Sequence, residues 1–150
     1  MEKKVQRINF YRLKDPYGEF SNYYVSPFTL QGKEWKTTEH YFQAQKHIGT
    51  EFEEVIRKAE QPGEAKNLAR GKPYARTDWE EVKVNIMYEC CKAKFSTNDH
   101  LRKLLLSTGD AYLSEHTKND SYWGDGGDDT GLNQLGKVLM KVRDELKAGK

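Results

Sequence analysis

The spacing of apolar residues changes along the chain, from alternation in the first third to a repeat of three or four residues after it. RINFYR, residues 7–12, alternates apolar and polar side chains and predicts a strand. FTLQGKEWK, residues 28–36, predicts two short strands joined by a hairpin at Gln31-Gly32. Between these segments DPYGEFSN, residues 15–22, has the Asp-Pro, Gly and Ser-Asn residues that favour turns. The first third is therefore predicted to supply a small β-sheet.

From residue 38 onward apolar residues recur at helical spacing, and good capping residues precede several of the predicted helices. These helices span residues 38–47, 50–58, 62–71, 78–95, 100–108 and 132–148. AYLSE, residues 111–115, predicts one more strand, and the glycine-rich stretch 118–131 predicts a loop. We find no repeat and no linker, so we predict the α+β class: a mostly helical single domain, residues 1–150, with a small N-terminal β-sheet.

Composition restricts the class of protein. The chain has 150 residues, which suits one domain with a real core, and its 9 Tyr, 6 Phe and 3 Trp exclude a disordered chain. The formal charge is +2, with acidic and basic residues mixed along the sequence, so we predict no strong duplex-binding surface. A small phosphorylated ligand remains compatible with this charge because it needs only one local basic pocket.

Cysteine usage and the N-terminus bear on the cellular compartment. Cys90 and Cys91 are adjacent and point about 100° apart on a helix, so we expect buried, unreactive thiols rather than a disulfide. MEKKVQRINF lacks the apolar segment of a signal peptide, and no apolar run approaches a membrane-spanning length. We therefore expect a protein of the reducing cytoplasm with no membrane partner.

The predicted helix in TTEHYFQAQK, residues 37–46, aligns an acid, an amide and an amine. Gln43 lies about 40° from Glu39 around the helix, and Lys46 lies about 20° from Glu39 on the other side. Helical side chains lean toward the N-terminus, so the amine of Lys46 approaches the other two groups. A substrate lying over this stripe would contact all three. The alternative is a solvated face, since Glu followed by Lys is common on exposed helices.

Two further segments are candidates for a polar pocket. GEFSN closes a turn with Ser21 and Asn22, which hydrogen-bond hydroxyls and carbonyls well, although an ordinary turn explains them equally. ARGKPYAR, residues 69–76, places three cations around a glycine and suits phosphate. These cations are Arg70, Lys72 and Arg76. A solvated loop is the alternative for this segment.

The loop NDSYWGDGGDD, residues 119–129, carries Trp123 beside Gly124 and several carboxylates. A tryptophan in a glycine-rich loop is costly to expose, so it either packs inward or stacks on a ligand. The loop lacks the alternating oxygen ligands and distant Glu of an EF-hand. His40 and His47 are seven residues apart, which does not match the spacing of a zinc-binding helix. We therefore predict no metal site.

Several blocks occur together in this order: INFY, YGEFSNYY, SPF, GKEW, TTEHYFQAQK, ARG, DW, VK, KF, LLLSTGDAYLSEHT, NDSYWGDGG and NQLGKVLMKVR. In this combination the chain resembles the YbiA-like proteins of the NADAR superfamily over nearly its whole length. The resemblance implies an N-glycosidase that cleaves ribose 5-phosphate from the pyrimidine amine of early riboflavin intermediates, a form of metabolite damage control. A related branch removes ADP-ribose from guanine bases in DNA.

The resemblance also implies roles for the candidate residues. Cleavage develops positive charge on the sugar, and Glu39 is the carboxylate expected to stabilise it and to activate water. Lys46 is expected either to hold a phosphate or hydroxyl or to form a Schiff base with the opened sugar, and Asp120 is the candidate partner acid. The expected substrate-binding residues are Phe20, Ser21, Asn22, Gln43, Arg70, Trp123 and Gly124. No metal or cofactor is required by this scheme.

Hydrolysis of a small phosphoribosylated substrate is our primary prediction, because the chain lacks the basic surface of a DNA-facing enzyme. Removal of ADP-ribose from guanine in DNA is the runner-up and would make nucleic acid a partner. A non-catalytic module that binds ADP-ribose or a nucleotide is a further alternative, and the acid and amine on one helix face argue against it. A purely structural protein would tolerate substitution of Glu39 and Trp123.

Overall fold

The computed structural model describes residues 6–150, which form six α-helices and four short strands. The strands are β1 (Arg7–Phe10), β2 (Phe28–Leu30), β3 (Lys33–Trp35) and β4 (Tyr112–Glu115). The helices are α1 (Thr38–Gln45), α2 (Glu51–Arg57), α3 (Pro62–Ala69), α4 (Trp79–Thr97), α5 (Asp99–Ser107) and α6 (Gln134–Lys147). The mostly helical α+β class predicted from the sequence is confirmed. Within residues 6–150 no helix is both long and apolar enough to cross a membrane.

Side-chain caps begin three of the helices at positions that the sequence predicts. The Thr37 hydroxyl accepts a hydrogen bond from the backbone N–H of His40, and Thr50 and Asn98 cap α2 and α5 in the same way. α1 ends at Gln45, two residues before its predicted end, and α4 continues to Thr97, two residues beyond its predicted end. The helical pattern therefore locates each helix, and side-chain caps mark the start of three of them.

Strand pairing corrects one part of the sequence prediction. β2 and β3 form the predicted antiparallel hairpin, with Gln31 and Gly32 at positive φ (56° and 74°), as a tight two-residue hairpin turn requires. β1 does not join this hairpin. It pairs in parallel with β4, with Ile8 opposite Leu113. Since β4 comes from the C-terminal third of the chain, the prediction of one sheet built only from the N-terminal third is wrong.

The chain divides into two compact units, of which the first comprises the described residues up to Ser21 together with residues 95–150. Its core contains the Phe20 ring, which lies edge-on to Phe10 and to Phe95, with ring centroids 5.7 Å apart in both pairs. The apolar face of α6 is buried as its spacing predicts. It presents Leu135, Val138, Leu139, Val142 and Leu146.

The second unit comprises residues 22–94, and α1 is its central helix. All eight residues of α1 are buried, including its polar ones. The Tyr41 ring packs edge-on against Trp35, with centroids 5.0 Å apart, and against Phe28, with centroids 6.5 Å apart. The solvated face considered for this helix from sequence alone is therefore wrong. The polar side chains of α1 need partners inside the protein.

In the first unit, α6 approaches β4 closely enough to require a glycine. The side chain of Asn133, just before α6, accepts a hydrogen bond from the Glu115 N–H (3.0 Å) and donates one to the Leu113 carbonyl (2.9 Å). These two bonds supply partners for backbone groups on the edge of β4 that does not pair with β1. One turn later, a Cβ on Gly136 would lie 2.1 Å from the Leu113 carbonyl oxygen, so no side chain fits there.

Gly136→Ala is therefore expected to destabilise the protein by about 3 kcal/mol, because either the helix or the strand must move to admit the methyl group. Gly63→Ala in α3 is the matched control, since its Cβ would meet only Tyr23, at 3.9 Å. That control should be neutral or slightly stabilising, as alanine favours a helix over glycine. Urea unfolding of both variants measures the effect, and equal stability of the two would contradict the packing argument.

Candidate active site

Glu39 and Gln43 form a buried hydrogen-bonded pair on α1. The Gln43 amide nitrogen donates to Glu39 Oε2 at 2.7 Å, and the two residues are 7% and 5% exposed. Asn22 holds the start of the same helix, because its backbone carbonyl accepts from the Glu39 N–H and its side-chain oxygen accepts from the Thr38 hydroxyl (2.7 Å). Asn22 thus fixes the start of α1, and the Gln43 amide holds the Glu39 carboxylate.

The other end of the Gln43 amide is the clearest sign of a ligand. Its oxygen Oε1 is buried and accepts no hydrogen bond from any residue in the described range 6–150. An unsatisfied buried acceptor costs about 1–3 kcal/mol unless a ligand or a water molecule supplies the missing donor. Gln43 lines a cavity in the second unit, and its oxygen is suited to accept from a ligand hydroxyl.

Lys46 follows α1, and its ammonium nitrogen is surrounded by three aromatic rings. Nζ lies 5.6 Å from the centroid of Phe42, 5.3 Å from Tyr74 and 5.6 Å from Trp79. Burial lowers the pKa of Lys46, the Glu39 carboxylate opposes that shift, and nearby cations add to it. Those cations are Lys66, Lys83 and Arg70. Lys46 is therefore closer to its neutral form than an exposed lysine is.

The cavity that Gln43 and Lys46 line has a volume of about 160 Å³. Its opposite side is formed by α3 and the loop after it, which contribute Lys66, Arg70 and Tyr74. Lys66 and Arg70 are exposed, and within residues 6–150 neither forms an ion pair with a carboxylate. Two cations without a carboxylate beside one cavity suit an anion such as phosphate. Sequence analysis selected Arg70 and missed Lys66, although a lysine four residues earlier on a predicted helix shares its face.

The other two cations of the segment 69–76 have other contacts and do not line this cavity. The Lys72 ammonium lies 4.7 Å from the centroid of the Phe52 ring. Arg76 pairs with Asp78 at 2.7 Å and donates to the Gln45 carbonyl at the end of α1. These contacts, together with the Ala75 N–H that donates to the Lys46 carbonyl (2.9 Å), tie the loop to the end of α1.

In the first unit, Asp120 shapes the loop that carries Trp123 and Gly124. One carboxylate oxygen, Oδ1, accepts from the backbone N–H groups of Tyr122 (2.9 Å) and Trp123 (2.8 Å). A Cβ on Gly124 would lie 2.8 Å from the Asp120 carbonyl oxygen, so glycine is needed for this close approach. Trp123 is half-buried and lies edge-on to Tyr122, with centroids 5.0 Å apart. Asp120 therefore has a structural role whatever its chemistry.

Asp125 closes the same loop, and sequence analysis did not single it out. Its buried carboxylate accepts from the Ser114 hydroxyl and the Gly127 N–H, both at 2.8 Å, and pairs with Arg7 and with His116 Nδ1. Burial alone would raise its pKa, but the hydrogen bonds outweigh burial and lower the pKa to about 2. The sequence shows only one aspartate among several in an acidic loop, so the signal for this role was absent.

Phe20 and Ser21, both predicted to bind substrate, lie at the end of a short 3₁₀ turn, Gly18–Phe20. Phe20 is 1% exposed and its ring packs in the core, so its prediction as a contact is replaced by a packing role. Ser21 is 8% exposed, and its backbone N–H donates to the Gly18 carbonyl.

The histidines and cysteines of the second unit are structural. His40 Nε2 donates to the Ala59 carbonyl (2.9 Å), its Nδ1 accepts from the Thr37 hydroxyl (2.7 Å), and burial lowers its pKa. Cys90 and Cys91 are buried and free, and burial raises the pKa of Cys90, which keeps that thiol unreactive. No cluster of three or more His, Cys, Asp or Glu side chains suited to a metal occurs in the part of the chain that the structure describes.

Comparison with known proteins gives a consistent result. A sequence model of the NADAR domain matches residues 9–147. N-glycosidase YbiA of Escherichia coli strain K12 is 48% identical over 141 residues, covering 93% of this chain and 88% of the relative. A riboflavin biosynthesis protein of Vibrio vulnificus is 40% identical over 143 residues, which cover 95% of this chain and 39% of that protein. The NMR structure of E. coli YbiA superposes with a TM-score of 0.90 at 45% identity, covering 99% of this chain and 89% of that one.

Asp120→Ala should destabilise the protein by about 1–2 kcal/mol, since two backbone N–H groups lose their acceptor. Asp120→Asn should be close to wild type in stability, because an amide oxygen can replace Oδ1. Urea unfolding of the two variants separates this structural contribution from any chemical one. If the alanine variant were as stable as the asparagine variant, the loop would not depend on these hydrogen bonds.

Proposed function

The chain belongs to the NADAR domain family, and from this premise we propose that it is an N-glycosidase acting on the N-glycosidic bond of phosphoribosylamino-pyrimidine intermediates of riboflavin biosynthesis. The observation that carries the proposal is a set of groups that line one cavity of the second unit. They are the Gln43 amide oxygen, which has no hydrogen-bond donor among the described residues, the Lys46 amine, whose pKa is lowered, and the cations Lys66 and Arg70. A phosphorylated ribose offers hydroxyls, an anomeric carbon and a phosphate to these groups in turn.

The size and charge of the cavity support a small phosphoribosyl substrate. At about 160 Å³ it is below the roughly 300–1,000 Å³ of pockets that enclose drug-sized ligands. Lys66 and Arg70 supply two positive charges beside it, enough for one phosphate group. We assign the phosphate to these two residues, with Arg70 able to bind two oxygens at once.

Glu39 is proposed to act on the anomeric carbon. As the bond from C1 to the pyrimidine amine breaks, its electron pair leaves with the nitrogen and positive charge develops on the ribose. A carboxylate near that carbon stabilises the charge and accepts a proton from the attacking water, while the departing amine takes up a proton. Gln43 holds the Glu39 carboxylate through its amide nitrogen and accepts from a ribose hydroxyl through Oε1.

Lys46 supplies an amine next to this carboxylate, and its lowered pKa favours a covalent role over a second phosphate contact. In that role, which replaces direct attack of water on C1, the C1–O4 bond of the ribose breaks, a proton passes from the substrate nitrogen to O4, and that nitrogen forms an imine with C1. The neutral amine of Lys46 then adds to the imine carbon. The bond to the pyrimidine amine then breaks, with a proton passing to that amine, and water hydrolyses the resulting imine. Because the phosphate is assigned to Lys66 and Arg70, Lys46 is not needed to bind it.

The remaining predicted residues keep their proposed roles. Asp120 is proposed as a second acid, Ser21 and Asn22 as ligands of the ribose or base, and Trp123 with Gly124 as the surface on which the base stacks. The family match runs through both compact units, and we propose that the chain is one functional domain. The free cysteines suit a reducing compartment, which supports the cytoplasm as its location.

Glu39→Gln should lower kcat by at least about 100-fold, within the range for loss of a positioned acid–base group, while leaving thermal stability near wild type. The change is nearly isosteric, and the hydrogen bond from Gln43 to the side-chain oxygen can persist. The measurement is release of ribose 5-phosphate from freshly prepared phosphoribosylamino-pyrimidine. Glu34→Gln is the control, because that residue is exposed on β3 and does not line the cavity.

The same preparation is tested in parallel on ADP-ribosylated guanine in DNA. Turnover of the small molecule alone supports the proposal, and turnover of the DNA alone would replace it with base repair. Binding of ADP-ribose without turnover of either substrate would leave a non-catalytic module. Wild-type kcat in Glu39→Gln would remove Glu39 from the mechanism.

Lys66→Ala and Arg70→Ala should each raise KM for the phosphorylated substrate by about 10-fold, which corresponds to one charge-assisted hydrogen bond of about 1.4 kcal/mol. Neither should change KM for the same substrate without its phosphate. Lys72→Ala is the matched control, since that ammonium lies over the Phe52 ring and away from the cavity lining. Equal losses on both substrates would show that the two cations do not act on the phosphate.

A further inference from the structure

Tyr74 is the exposed wall of the aromatic box around Lys46. The other two walls, Phe42 and Trp79, are each 6% exposed and belong to the core, whereas Tyr74 is 46% exposed. Its ring also packs edge-on against Trp79 (centroids 5.9 Å apart) and His47 (6.0 Å). Since the neighbouring Ala75 N–H is bonded to the Lys46 carbonyl, the ring is held above the amine although it faces solvent.

Each of the three rings has two opposing effects on the charge of the Lys46 amine. Each aromatic face attracts the ammonium and thereby favours the charged form. Each ring also displaces water, which disfavours the charged form. Burial is the largest cause of the lowered pKa of Lys46, and the Tyr74 ring, whose centroid lies 5.3 Å from Nζ, is one of the groups that bury the amine. Tyr74 is the wall whose removal would admit water, because the rings of Phe42 and Trp79 are already enclosed by protein.

The charged groups that act on Lys46 come from α1, α3 and α4, and Tyr74 is not one of them. Glu39 on α1 favours the ammonium, and three cations disfavour it: Lys66 on α3, Arg70 at the end of α3, and Lys83 on α4. Tyr74 is absent from these charged groups, and its ring lies over the amine, so it acts on Lys46 by shape and by excluding water.

We propose that Tyr74 is a positioning residue for the reaction: its ring shields the amine of Lys46 from water and so keeps the amine available in the neutral, reactive form. The aromatic ring, and not the phenol hydroxyl, carries this role. The inference deepens the proposed N-glycosidase function and relies on it for its relevance to turnover, but the state of the amine is measurable without substrate.

The test measures the pH dependence of Lys46 acetylation by acetic anhydride in the free enzyme, resolved by peptide mass spectrometry. Tyr74→Phe keeps the ring, Tyr74→Ala removes it, and Lys137, exposed on α6, serves as the reference amine in each sample. The midpoint for Lys46 should be the same in wild type and Tyr74→Phe. It should rise by about 0.5 pH unit or more in Tyr74→Ala, since hydration returns to the ammonium.

The acidic limb of the kcat–pH profile should shift upward with the Lys46 midpoint in Tyr74→Ala and not in Tyr74→Phe. Tyr11→Ala, which removes an exposed tyrosine (39%) from the first unit, should move neither quantity. An unchanged or lowered midpoint in Tyr74→Ala, or the same rise in the phenylalanine variant, overturns the inference. Absence of N-glycosidase turnover together with the expected midpoint shift would refute the proposed function and leave only the shielding of Lys46 by Tyr74.

Discussion

Complete burial of a polar helix is the constraint on which the second unit depends. α1 has no solvated face, so each of its polar side chains must find a partner inside the protein. His40 meets this demand at both ring nitrogens, one toward the helix cap and one toward the Ala59 carbonyl after α2. Glu39 and Gln43 meet it with each other, except for one amide oxygen. That exception belongs to a residue that lines the cavity, and it supports the proposal that the helix is part of a binding site as well as of a core.

The same burial explains why the chemistry of Lys46 differs from that of a surface lysine. The amine follows a buried helix and is surrounded by rings from that helix, from the loop after α3 and from the start of α4. The Glu39 carboxylate, which favours the ammonium form of Lys46, also accepts a hydrogen bond from Gln43. The neighbouring cations disfavour the ammonium form. An amine, an acid and a pair of cations are thus built on one framework, so their positions are set together by packing.

In the first unit, hydrogen bonds to two aspartates fix the shape of the acidic, glycine-rich loop 118–131. Asp125 gathers hydrogen bonds from β4 and from its own loop, and Asp120 fixes the turn that presents Trp123. Gly124 and Gly136 permit approaches to backbone carbonyls that any side chain would block. The loop is therefore stiffened by two carboxylates, of which Asp120 is predicted from the sequence to be catalytic and has a structural role in the fold.

Local sequence determined the features that depend on neighbouring residues. The hairpin at Gln31-Gly32, the caps at Thr37 and Thr50 and the alignment of Glu39, Gln43 and Lys46 all follow from backbone preferences and helical periodicity. The family resemblance extended this local information to an expected chemistry. These features are encoded within a few residues of one another, so they could be predicted without the fold.

The tertiary structure decided whatever depends on residues far apart in the chain. It paired β1 with β4, placed Phe20 in the core, assigned Lys72 and Arg76 to other partners, and brought Lys66 and Tyr74 to the cavity. It also left Gln43 Oε1 without a partner in the described residues, which no helical periodicity could reveal. The reason is physical: burial, water exclusion and pairing of charges are properties of surroundings, and distant segments supply those surroundings only after packing.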